Sequence, residues 1–372
     1  MQKAKMDFRE SSEGQNSRLA EQVRNVRGYL KKLADESDNF RKKNWAIPKG
    51  ISPEGYRNHI RPFRTRVGKM LGYPPSGRII KNIKPVVRKI GRDEDGTFFR
   101  VRIPLLEEGY EVHGLLIKPN PSESSLKKPL AVAIHGGGGT PELAAGILEL
   151  SNNYNDMGRR MARRGHVVWM PSCFERTGFH FSPDGVLQPE PEKSSVHRTL
   201  DWRAKFVGTT LPALDLFGII KSTEILLASQ GFTKRKAIVM GLSYGGFRAL
   251  LACALSEVFI ACISSCYFND RRTELERYSE EGAFSDWVFN NTLGIATDVE
   301  FCQLICPRPL FIEVGNKDEL FPAAGARKAA SEVRKIYRSL GLENLFGFDV
   351  FPGGHEFSGV KAFRFLDRIY NE

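Results

Sequence analysis

The residues best suited to chemistry are a serine between glycines, a single histidine far downstream of it, and a few carboxylates in between. Residues 238–251 read IVMGLSYGGFRALL, which places Ser243 inside Gly241-Leu242-Ser243-Tyr244-Gly245. A serine hydroxyl is a weak nucleophile until a base takes its proton, and that base works best when a carboxylate fixes its tautomer and orientation. His355, in VFPGGHEFSG, is the only histidine after Ser243. Asp318, in PLFIEVGNKDELFP, directly follows an apolar β-run, at the carboxyl end where open α/β sheets build their sites. Glu319 is its neighbouring alternative; Asp349 lies within a β-run and Asp270 opens an insertion. The expected chemistry is acyl transfer with Ser243 as nucleophile, His355 as general base and Asp318 as its orienter.

A fourth element is AIHGGGGTPE, a run of glycines after an apolar β-run and before a helical pattern. Backbone N–H groups near Gly136 and Gly137, with that of Tyr244, could converge on a developing oxyanion. Glycine-rich strand-to-helix turns also cradle phosphates. Here there is no G-x-G-x-x-G followed by an acidic residue about 20 positions on, and no G-K-[ST], so the pattern does not describe a nucleotide site. Neither a metal nor an organic cofactor is needed for the chemistry expected.

These residues work only if the chain turns sharply between a strand and a helix at Ser243. KAIVMG before it is strand-like and YGGFRALLACAL after it is helix-like. A Cβ two residues to either side of the nucleophile would clash in so tight a turn, which accounts for both glycines. The wider chain is consistent with this reading. TFFRVRIPL and YEVHGLLIKP read as two β-runs, followed by PLAVAIH, HVVWMPS, KAIVMG, FIACISS, PLFIEVG and FGFDVF. Between most of them lie helical patterns, among them PELAAGILELSNNYNDMGRRMARR, LPALDLFGIIKSTEILLASQ, AAGARKAASEVRKIYRSL and GVKAFRFLDRIYN. Such alternation predicts a mostly parallel sheet covered on both faces. Two segments interrupt it, residues 172–210 and 267–300, and both are candidates for lids or pocket walls. Phe174, Phe179, Phe181 and Trp202 in the first suit either an apolar pocket or the core; Arg176 suits a substrate carboxylate or a surface salt bridge.

The first quarter of the chain differs in texture. Residues 1–92 hold 23 Lys and Arg against 8 Asp and Glu, whereas the remaining 280 hold 32 against 35, so the overall +12 belongs to the N-terminal part. Leu19, Val23, Val26, Leu30 and Leu33 follow three- and four-residue spacing, predicting an amphipathic helix over 17–43 with a serine ahead of it as N-cap. The segment from Asn44 to Pro75 mixes aromatics with Pro and Gly and predicts short helices and loops. A nucleic-acid reading would need a recognition motif or exposed aromatics among the basic residues, and neither is present. The expected organisation is a basic helical extension over 1–94 and a catalytic domain over 95–372, with the helix packed on its own body or pairing in a homodimer. No run approaches the roughly 18 apolar residues of a membrane span. The N-terminus lacks the apolar core of a secretion signal. Six cysteines in mostly apolar stretches, with no C-x-x-C and no zinc spacing, point to reduced thiols and a cytoplasmic setting.

The set HGGGG, GLSYGG, Asp318 and His355, in the order Ser, Asp, His, resembles the α/β-hydrolase superfamily over residues 95–372. It looks most like the branch of dienelactone hydrolases, acetyl xylan esterase-like enzymes and prolyl oligopeptidase catalytic domains. The resemblance implies a mostly parallel central sheet of about eight strands, with its first hairpin antiparallel. It also implies the same three catalytic residues and hydrolysis of a carboxylic ester in a small molecule. A peptidase or amidase, a thioesterase, a C–C bond hydrolase and a non-catalytic interaction module are the alternatives. Peptidase members carry a large screening domain where this chain has about 95 helix-like residues. Asn44-Trp45 and Arg61 to Phe63 resemble the helical extension of esterase-like members that packs beside the active-site mouth. The chain departs from those members in having no aspartate after Asp215 in LFGIIKSTEILL.

Overall fold

The computed structural model describes residues 10–120, 125–148, 153–174, 179–181, 187–189, 195–232, 236–274 and 289–371. Nine strands form one sheet: β1 (Val86–Arg92), β2 (Gly96–Pro104), β3 (Glu111–Pro119), β4 (Leu130–Ile134), β5 (Val168–Pro171), β8 (Ala237–Leu242), β9 (Phe259–Ser265), β10 (Leu310–Gly315) and β11 (Phe346–Phe351). Two three-residue strands, β6 (Phe179–Phe181) and β7 (Leu187–Pro189), pair by themselves. The spatial order is β1-β2-β3-β5-β4-β8-β9-β10-β11. The pairs from β1 through β3 to β5 are antiparallel and every later pair is parallel. The expectation of a mostly parallel sheet with an antiparallel start holds, with one strand more than expected.

That extra strand is β1, inside the stretch read as a helical extension. The helical part ends at Leu71, and Val86–Arg92 already belongs to the sheet. Almost every residue of VVRKIGR is exposed, so β1 carries no apolar run to betray it. The central strands behave oppositely: β4, β8 and β10 are buried at every position, because helices cover both faces. Side chains alternate between two cores. Leu130, Val132 and Ile134 of β4, with Ala237 and Val239 of β8, enter one; Ala131, Ala133, Ile238 and Met240 enter the other.

The helices are α1 (Ser12–Asn44), α2 (Pro53–Leu71), α3 (Pro141–Ala145), α4 (Met157–Arg163), α5 (Ser195–Phe206), α6 (Leu211–Ser229), α7 (Tyr244–Leu255), α8 (Thr292–Ile295), α9 (Asp298–Ile305), α10 (Ala323–Ser339) and α11 (Val360–Asn371). The single helical pattern expected over 141–164 is two short helices; Gly146, at φ 63, caps the first in the left-handed region that a Cβ disfavours. In place of short helices between Asn44 and Pro75 stands the 19-residue α2, which starts on Pro53 and tolerates Pro62 inside it. Helix α1 starts before the expected serine, with the Ser11 hydroxyl accepting from the Gly14 N–H at 3.1 Å.

Only the end of α1 is seated on the body. Arg41 is buried there, paired with Glu300 at 3.0 Å and with Asp38, and donates to the Leu293 carbonyl. Trp45 donates from Nε1 to Ile295 O at 2.8 Å and packs on Phe63, with ring centroids 4.5 Å apart. Tyr56 and Arg64 of α2 donate to the carbonyls of Gln303 and Ala254. Upstream, Leu19, Val23, Val26, Leu30 and Leu33 are all exposed.

Candidate active site

At the carboxyl end of β8 the backbone turns on one residue. Ser243 sits at φ 58 and ψ −124, between the strand and the first residue of α7. Positive φ is unusual for a residue with a Cβ and persists only where the surroundings over-determine it. They do so here. A Cβ on Gly241 would come 2.2 Å from Gly245 O, and one on Gly245 would come 2.1 Å from Ile134 O. Both glycines are required by close approach, as their spacing implied. The Ser243 N–H donates to Ser265 O at 2.8 Å, locking the turn to β9.

Two strands further along, the loop after β10 meets the loop after β11. His355 Nδ1 lies 2.8 Å from Asp318 Oδ2. Asp318 Oδ1 accepts from the N–H groups of Leu320 and Phe321 at 2.9 and 3.0 Å, so both oxygens of the carboxylate are directed. Burial presses the Asp318 carboxyl upward, but the hydrogen bond and charge of His355 outweigh it and hold the group below its ordinary value. The imidazole is partly exposed and stacks on Phe321, with centroids 5.8 Å apart. Asn153 Nδ2 donates to the His355 carbonyl at 2.9 Å. Of the alternative acids, Glu319 is exposed, Asp270 is engaged by Lys328 and Thr273, and Asp349 by Lys361. Asp318 is therefore the carboxylate paired with His355.

The glycine loop after β4 lies against the turn. A Cβ on Gly136 would stand 3.1 Å from Ser243 Cβ. Its N–H, however, donates to Tyr154 Oη at 2.9 Å, which corrects the reading of Gly136 as an oxyanion donor. The expectation failed because the acceptor is 18 residues away in sequence. Gly137 faces open space: a Cβ there would meet nothing within 4 Å. Tyr244 opens α7, where the first N–H groups of a helix project beyond its end. The candidate donors are thus Gly137 and Tyr244.

Three groups that sequence reasoning missed tie these loops together. Glu313, at the end of β10, accepts from Ser265 Oγ at 2.9 Å and from the Gly359 N–H at 3.0 Å, and burial pushes its carboxyl up to about 7. Ser265 Oγ is also 3.2 Å from Glu356 O, beside His355. Asp215 and Arg248 form a buried pair at 2.6 Å that grips both ends of one residue: Asp215 accepts the Phe174 N–H and Arg248 donates to the Phe174 carbonyl. His135 donates to Gly136 O from Nδ1 and accepts the Cys173 N–H on Nε2. The one available signal was an ionisable residue inside an apolar run, as in PLFIEVG and LPALDLFGII. Trp202 is 58% exposed, so it belongs to neither the core nor an enclosed pocket. Arg176 and the side chains of Phe179 and Phe181 lie outside the described residues, as do 275–288 of the second insertion.

No protein-family model and no curated protein sequence matches this chain. Solved structures do match it in shape. A structure named methylesterase BT1017 superposes with a TM-score of 0.65 at 16% identity, over 92% of this chain and 69% of the other. A glucuronoyl esterase from Solibacter usitatus gives 0.60 at 15%, over 88% and 94%. Acetyl xylan esterase 1 from Thermoanaerobacterium sp. JW/SL YS485 gives 0.51 at 15%, over 89% and 98%. The chain has the α/β-hydrolase fold. In that frame Ser243 occupies the strand-to-helix elbow that follows a central strand, and Asp318 and His355 occupy loops at the same end of the sheet.

Proposed function

We propose that this protein is a serine esterase that hydrolyses carboxylic esters of small molecules through an acyl-enzyme. The observation that carries the reading is the coincidence, at one end of the sheet, of a serine held at φ 58 and a histidine held 2.8 Å from a buried aspartate. Ser243 attacks the acyl carbonyl while His355 Nε2 takes its proton. Asp318 keeps the other ring proton on Nδ1 and stabilises the imidazolium that forms. The oxyanion is received by the N–H groups of Gly137 and Tyr244, each worth about 3 kcal/mol in sites of this kind. His355 then returns the proton to the leaving alcohol, and water repeats the sequence on the acyl-enzyme. The three solved structures above are named for ester hydrolysis, which favours esters over amides, thioesters and C–C bonds.

A fluorophosphonate probe tests this directly. Label mapped to Ser243, and lost in His355→Ala with folding unchanged, is the expected result. Folded protein that takes no label overturns it. Turnover of short acyl esters against matched peptide amides then separates an esterase from a peptidase.

Two further readings accompany this one. The five exposed apolar residues of α1 follow a strict 4-3-4-3 spacing from Leu19 to Leu33, the seam of a two-stranded coiled coil, with charges such as Arg18, Arg24 and Lys31 off the seam. This favours a homodimer through α1. All six cysteines are buried free thiols, which favours a reducing, cytoplasmic setting. Among the described residues no helix is long and apolar enough to cross a membrane.

A further inference from the structure

Cys266 is the residue after β9, at φ 48, with its N–H donating to Glu313 O at 2.9 Å. The thiol is fully buried at the edge of one apolar layer, where it meets the back of the Asp318–His355 couple. Sγ is 3.3 Å from Glu356 O and 3.8 Å from Gly354 O, the two carbonyls that flank His355. One ligand atom from each of Cys266, Asp318 and His355 lies within 4.8 Å of the others. A sulfur, an imidazole nitrogen and a carboxylate oxygen are a donor set that suits a thiophilic divalent cation. Tetrahedral bonds of about 2.0 to 2.3 Å set ligand atoms roughly 3.4 to 3.7 Å apart, so such an ion would widen the 2.8 Å contact between His355 and Asp318 and draw in the more distant atoms of the cluster.

We propose that Cys266, Asp318 and His355 form an inhibitory site for zinc-like cations, Zn²⁺ or Cd²⁺, behind the catalytic histidine. The cation takes the thiolate, one carboxylate oxygen and the lone pair of Nδ1. The thiol proton leaves to solvent, and the ring proton moves from Nδ1 to Nε2. Nε2 is the atom that must accept the Ser243 proton, and once it carries a hydrogen it no longer can. The ion thus silences the histidine by fixing the wrong tautomer, with Ser243 and the glycine loop untouched. The inhibitory consequence rests on the esterase reading; the binding does not.

Cadmium is the probe, because a cadmium–thiolate bond has its own ultraviolet charge-transfer absorption. Titrating the full-length chain should give that absorption with an endpoint of one equivalent. Fluorophosphonate labelling should fall at least tenfold in parallel, and EDTA should restore it. Cys266→Ser should lose the absorption and, measured against its own metal-free labelling rate, resist cadmium at least tenfold better; Cys266→Ala repeats the test if the serine variant folds poorly. Absent absorption in the wild type, or equal absorption in the variants, overturns the site. If the wild type binds cadmium but takes no label even without it, the esterase reading fails while the metal site stands.

Discussion

The carboxyl end of the sheet and the free part of α1 are opposite solutions to holding a backbone in place. At the elbow, Ser243 keeps an unfavourable φ because Gly241, Gly245, Ile134 and Ser265 crowd it from three strands. Along α1, a favourable helical backbone runs for more than 20 residues with its apolar stripe uncovered. In proteins most helical stability comes from packing an apolar face rather than from propensity, and the stripe from Leu19 to Leu33 has no such cover among the described residues. Strain is thus placed where packing is densest, and local regularity where packing is absent.

The comparison can be broken at the dense end first. Asp318→Asn preserves shape but frees the imidazole to adopt the other tautomer, and ester turnover should fall on the order of 10⁴-fold with an unchanged melting temperature. A drop below tenfold would show that the couple does not orient the base. Gly245→Ala puts a Cβ 2.1 Å from the Ile134 carbonyl, a backbone atom that cannot step aside. A loss of roughly 4 kcal/mol or more in denaturant unfolding is expected, with the variant insoluble if stability is already low.

Glu313 sharpens the contrast through pH. Burial raises its folded pKa from the ordinary 4.5 to about 7, so its contribution is full below about pH 4.5 and is lost as pH rises through 7. Above that, the ionised buried carboxylate costs about 3 kcal/mol relative to its protonated form. Melting temperatures measured from pH 5 to 8 should decline in the wild type and be flatter in Glu313→Gln. Parallel curves would mean that Glu313 does not titrate in this range. Tyr154→Phe leaves the Gly136 N–H without its acceptor, at a cost of about 1 kcal/mol. Probe labelling should slow several-fold; an unchanged rate would show the glycine loop to be held by other contacts.

The smallest effect belongs to the sparse end. Val26→Glu with Leu30→Glu should leave turnover and melting of the body unchanged within about 0.5 kcal/mol while light scattering reports the mass of one chain instead of two. A wild type that already has the mass of one chain removes the α1 pairing.

What could be read from the sequence follows the same division. The elbow was legible because its two glycines lie within five residues of each other, although Ile134 and Ser265, which hold it, do not; the helix of α1 was legible because its period is local. Asp318 and His355 were legible by type and chain order. Gly136 misled because its partner, Tyr154, belongs to a different segment. Strand β1 was invisible because its residues face solvent and carry no apolar run. The pattern over 141–164 hid a break at Gly146, whose meaning depends on a left-handed backbone. Glu313, Asp215 and Arg248 read as ordinary charges, and only the fold turns them into internal ties.

Ser265 gives the site an assembly check. It is the last partner of Leu242 in β8 and pairs in register with Glu313 in β10. Its carbonyl holds the N–H of Ser243 and its hydroxyl holds the loop that carries His355. Because side chains alternate along a strand, β9 displaced by a single residue would turn that hydroxyl to the opposite face, and where the displacement brings Cys266 to its place no hydroxyl is left to hold the loop. In that register the elbow and the loop of His355 no longer share a residue that ties them, so the mutual placement of the two loops reports on the pairing of β9.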